Sequence, residues 1–117
     1  MAVNVVNVQT INGRSNVQVV SNTYGNLVTN QTGSGQLYKV NFVTMSNTNS
    51  SPVLGTVDFY RNSTSYAFIS NAAIPGSATL TVIGKDTAVY LEEGDTIRCY
   101  ANLSANVNAV CSYEIIS

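Results

Sequence analysis

The sequence has no histidine and no tryptophan, and only 9% of its 117 residues are charged. Without histidine there is no Ser-His-Asp or Cys-His nucleophile system, no common zinc site, and no general base of the usual kind. No segment has helical period, so no glycine-rich loop feeds a helix N-terminus that would hold phosphate. The chain is therefore not expected to be an enzyme, and no catalytic, cofactor or metal-binding residues are assigned. The five basic residues (Arg14, Lys39, Arg61, Lys85 and Arg98) are scattered. Nucleic acid, which needs clustered cations along a phosphate track, is not an expected partner. No apolar run approaches the ~20 residues of a membrane span. Met1-Ala-Val-Asn has neither the basic start nor the apolar core of a secretory leader.

The sequence does have an ordinary 44% of hydrophobic residues, with 15 Asn and 25 Ser or Thr where charge would normally stand. Such a surface is soluble without Coulomb terms, so salt should hardly affect it. A chain of this length buries roughly two thirds of its unfolded surface. One domain is expected over residues 1–117, with residues 1–22 as a hairpin or arm and 23–117 as a sandwich.

Along the chain, Asn12-Gly13 is a strong signal for a two-residue type I′ turn. A hairpin folded about it sets Val8 against Val17 and Val6 against Val19, with Asn7 and Gln18 on the other face. After Tyr24-Gly25 come short strands near 26–30, 37–45, 56–61, 66–70, 78–83, 88–91, 96–101 and 108–116. Clusters of Gly, Asn, Ser and Pro separate them. This spacing, with no helix, predicts an all-β antiparallel sandwich. It is jelly-roll-like, with about eight strands plus the N-terminal β-hairpin. An immunoglobulin-like sandwich is the alternative, although its Cys and Trp pattern is missing.

Three groups of residues invite a functional reading. Glu92, Glu93 and Asp95 place three carboxylates in one corner, but calcium wants six to eight oxygens in a loop that wraps it, and this turn is too short. Cys99 and Cys111 are equidistant from Ala105 and, in a simple hairpin, form a cross-strand thiol pair. The expectation is that both stay reduced. Tyr60 alternates with core residues and is expected to point outward, where it joins Val6, Val8, Val17 and Val19 as a candidate assembly contact. Loop residues Asn47 to Ser51 are candidates for contact with a host surface. Four Asn-x-Ser/Thr sequons, at Asn30, Asn49, Asn62 and Asn102, are no more than this composition yields by chance.

The start Val8-Gln9-Thr10-Ile11-Asn12-Gly13-Arg14-Ser15, the centre Leu37-Tyr38-Lys39-Val40-Asn41, the block Val89 to Ile97 and the ending Ala109 to Ile116 carry a likeness. Through them the chain resembles the small all-β structural proteins of tailed bacteriophages, especially those of marine cyanobacterial phages. The resemblance implies a virion component assembled in the host cytoplasm and present in many copies. Its partners would be capsid or other virion proteins, and it would need no cofactor. A capsid decoration protein on the outer shell is the first expectation. A head-fibre, tail-fibre or knob component that recognises a host surface or glycan is the second. A homo-oligomer is expected, with a trimer among the forms that fit.

Overall fold

A computed structural model gives the fold, and residues 10–102 and 107–117 are described, the side chain of Lys85 excepted. Among the described residues nine strands follow one another: β1 (Ile11–Val20), β2 (Gly25–Thr29), β3 (Leu37–Asn47), β4 (Val53–Arg61), β5 (Thr64–Ile74), β6 (Thr79–Ile83), β7 (Val89–Leu91), β8 (Thr96–Ala101) and β9 (Val107–Ile116). A 3-10 turn at Lys85–Thr87 separates β6 from β7. Among the described residues no helix is long and apolar enough to cross a membrane.

The strands form two antiparallel sheets. The first runs β1-β9-β3, with β6 and β7 both pairing on the far side of β3, and the second runs β2-β8-β4-β5. β4 turns tightly into β5, and outward from that hairpin β3 pairs with β6 and β7, β2 with β8, and β1 with β9. The chain is thus one long hairpin rolled up until β3 meets β9 and β4 meets β8. This is jelly-roll topology, and the immunoglobulin order does not occur.

Alternation explains the packing. Along β9, Val107, Ala109, Cys111 and Tyr113 face inward while Asn108, Val110 and Ser112 face out. Opposite sheets contribute Val40, Val43 and Met45 from β3 and Val57, Ile97 and Cys99 from β4 and β8 to one continuous core. Two asparagines close the ends of the sandwich. Asn30 is fully buried and donates to the carbonyls of Gln36 and Leu91, each at 2.9 Å. Asn47 is buried and donates to the carbonyls of Ser51 at 2.8 Å and Ile74 at 3.0 Å. Asn47 is therefore a buried brace, not the exposed loop contact the composition of 47–51 suggested.

The N-terminal hairpin is corrected. Asn12 and Gly13 lie inside β1, opposite Ile115 and Glu114, and Gly13 is not among the glycines with positive φ that a type I′ turn requires. Ten consecutive pairs with β9 outweigh a two-residue turn preference, so residues 11–20 are a full strand of the sandwich. Val6 and Val8 lie outside the described residues.

Candidate assembly surface

The outward faces of the two sheets differ in kind. On the second sheet, Arg98 holds its guanidinium between two tyrosine rings, 4.0 Å from the Tyr24 centroid and 3.9 Å from that of Tyr60. Its Nη2 lies 3.6 Å from Asp58 Oδ2 and donates to the Ser65 hydroxyl. Tyr24 also meets Tyr100 edge-on at 4.6 Å. The carboxylate of Asp58, only 2% exposed, lies near the Tyr24 phenol and, with burial, pushes it up to about 12. Tyr60 points outward as the alternation predicts, but its ring is occupied by Arg98. The Arg98 guanidinium is thus held by Asp58, Ser65 and two rings of its own chain, although Asp58 Oδ2 and Arg98 Nε have no hydrogen-bond partner among the described residues.

The acidic corner is also internally paired. Arg61 donates through Nε to Asp95 Oδ1 at 2.8 Å and through Nη2 to Glu92 at 2.9 Å. Asp95 Oδ2 accepts from the Glu92 amide at 2.8 Å, and Glu93 accepts from the Gly33 amide at 3.0 Å. Gly94, at φ 92, makes the corner, and its amide donates to the Asn30 carbonyl at 2.7 Å. A guanidinium already sits among the carboxylates, so the corner is a latch between loops. Among the described residues no cluster of metal-ligating side chains is present.

The outer face of the first sheet is different. Strand register lays it out in rows: Val19, Asn108, Ser46 and Thr79; then Val17, Val110, Thr44 and Thr81; then Ser15, Ser112 and Phe42; then Gly13, Glu114, Lys39 and Tyr90. The first three rows carry no charge. Val17 is 77% exposed and Val19 62%, and Phe42 is also exposed. A shallow groove of about 450 Å³ runs between residues 17–19 and 108–110. A second hollow of about 480 Å³ lies beside Phe42, edged by Lys39, Asn41 and Glu114. Exposed apolar side chains grouped across three uncharged rows mark a surface suited to another protein.

The two cysteines lie elsewhere and are not strand neighbours. Cys99 on β8 stands opposite Gly25 and Val57, and Cys111 on β9 opposite Asn16 and Val43. The expected cross-strand pair fails because β8 and β9 lie in different sheets. Both thiols are free and buried, and Cys99 donates weakly to Gln18 Oε1 at 3.2 Å. Burial pushes Cys99 up to about 11, and burial with the nearby Cys99 pushes Cys111 up to about 12.

Since the folded values exceed the ~8.5 of an unfolded thiol, this contribution to stability is complete below that pH. It is lost progressively as pH rises toward the folded values. Stability should therefore fall above pH ~8.5. At pH 8 Ellman's reagent should label neither thiol in the native protein and both in denaturant. Rapid labelling of native protein would contradict this burial.

No family model matches the sequence, and a search of curated proteins returns no significant match. Solved structures do match. One chain belongs to the acid-stable capsid structure of Helicobacter pylori bacteriophage KHP30, with TM-score 0.55 and 13% identity over 94% of this chain and 90% of that one. Another comes from Bacillus endospore appendages, described as a novel family of disulfide-linked pili, with TM-score 0.56 and 14% identity over 92% and 87%. Both likenesses are of fold.

Of the candidate contacts, the structure brings Val17 and Val19 together on the uncharged face and sets Tyr60 on the opposite sheet. Val110 and Phe42 complete the patch and escaped sequence reading. Val110 was read only as part of the last strand, and Phe42 is turned outward by the register shift between Val40 and Phe42.

Proposed function

We propose that the chain is a structural protein of a bacteriophage virion, a decoration subunit that docks on the outer shell through the outer face of its first sheet. The observation that carries this reading is the three uncharged rows of that face, with Val17, Val19, Val110 and Phe42 exposed or half-exposed, set against the second sheet, where Arg98 lies against Asp58. The fold shared with a phage capsid chain supports it, as does the sequence resemblance. A face of neutral hydroxyls and valines binds by burying area, so attachment should tolerate high salt.

The test is binding to particles that lack the chain. Phe42→Ser with Val110→Lys should leave the melting temperature within a few degrees and weaken particle binding at least tenfold. Undiminished binding would overturn the assignment of the face. Loss of binding only on Tyr60→Ala would also overturn it, and would move the contact to the other sheet, where a fibre or knob recognising a host glycan becomes the better reading.

A further inference from the structure

Among the described residues, β1 is the end strand of the first sheet and pairs on one side, with β9. Thr10 and Ser117 exchange both backbone hydrogen bonds, at 2.9 and 3.0 Å. By antiparallel alternation, Asn12, Arg14, Asn16, Gln18 and Val20 are then the bonded partners of β9. The N–H and C=O groups of Ile11, Gly13, Ser15, Val17 and Val19 consequently point off the sheet. The usual protections of an edge strand are missing, since β1 has no proline, no register shift over its ten pairs, and one charge, Arg14.

A complementary segment exists in the same sequence. Residues 3–9, Val-Asn-Val-Val-Asn-Val-Gln, laid antiparallel on β1 place Val8 opposite Val17, Asn7 opposite Gln18, Val6 opposite Val19 and Val5 opposite Val20. Valine meets valine and amide meets amide over residues 5–9. The turn that would have made this pairing within one chain is not formed, because Asn12 and Gly13 are in β1.

Nor can the same chain reach by another route. Residue 8 is two residues from Thr10, a reach of about 7 Å. Val17 lies seven residues along the strand from Thr10, roughly 23 Å away. We propose that residues 3–9 of one copy add as an extra strand to the free edge of β1 in a second copy. The contact is head-to-tail, so it builds a ring or a filament according to whether the rotation closes. It does not depend on the virion reading.

Three measurements on the purified protein test this. The full chain should associate with rising concentration in sedimentation, and a chain lacking residues 2–9 should remain monomeric. A labelled peptide of residues 1–9 should bind that shortened chain, and at least tenfold less tightly once Val19→Pro is introduced. That substitution removes one outward N–H and leaves the bonds to β9 intact, so an unchanged melting temperature shows that the fold survives. A mixture of Val8→Cys and Val17→Cys chains should cross-link to each other on mild oxidation. A peptide that fails to bind, or binds the Val19→Pro chain equally, overturns the proposal. So does a shortened chain that still associates, which would mean that β1 edges pair directly with one another.

Discussion

Asn47→Ala is expected to lower the unfolding free energy by about 4 kcal/mol and the melting temperature by roughly 15 °C. The side chain is 1% exposed and ties three segments together. Its amide donates to the carbonyls of Ser51, Ile74 and, at 3.3 Å, Pro75, while Oδ1 accepts from the Asn49 amide at 2.9 Å. Alanine leaves these backbone groups unsatisfied in a place water does not readily enter, at about 1–3 kcal/mol for each buried group that stays unpaired. The two loops are already in close contact. The Ser77 amide donates to the Asn49 carbonyl at 3.0 Å, and a Cβ on Gly76 would stand 2.2 Å from the Ser50 carbonyl oxygen. Urea denaturation measures the effect, and a loss below about 1 kcal/mol would show that the loops hold without the brace.

The second large effect belongs to the acidic corner. Asp95→Ala should cost about 3 kcal/mol, because its carboxylate is 3% exposed and takes a forked pair from Arg61 together with the Glu92 amide. The Arg61 side chain is 38% exposed, so part of its charge is recovered by water and the full figure for a buried pair does not apply. Asp95 holds Arg61 in its charged form. A double-mutant cycle with Arg61→Met should give a coupling of about 1.5 kcal/mol, and 1 M salt should leave most of the Asp95 effect in place. Additive single effects would show that the two residues do not act together.

These two residues also show where sequence reading ends. Strand spacing and the absence of helical period were enough for the two-sheet sandwich, since alternation is local. Asn47 was hidden by its own kind. In a chain with 15 asparagines, one in Ser-Asn-Thr-Asn-Ser-Ser-Pro reads as loop surface, and only the approach of Pro75 and Ile74 makes it a brace. Asn12-Gly13 failed for the opposite reason. The local signal was strong, and the ten-pair ladder with β9, roughly a hundred residues away, overruled it. Cys99 and Cys111 were misplaced because sequence distance does not reveal whether a link stays in one sheet. The clamp of Arg98 by Tyr24 and Tyr60 joins β8, β4 and the residue just before β2, and left no local trace.

What was legible of the assembly surface was its composition. Paucity of charge was visible at once, and Val17 and Val19, named as candidate contacts on a hairpin whose turn does not form, are exposed on β1. That the uncharged rows gather on one sheet, and the paired charges on the other, needed the register of β1, β9 and β3.

The most direct measurement is the copy number of this chain in particles purified by density gradient from the cells that make it, read by quantitative mass spectrometry. A decoration subunit should be present in tens to hundreds of copies in about constant ratio to the major shell protein. It should stay attached in 1 M salt and be lost when Phe42→Ser and Val110→Lys are introduced. Particles that contain none of the chain, or only a few copies confined to one tail or vertex, would contradict the account.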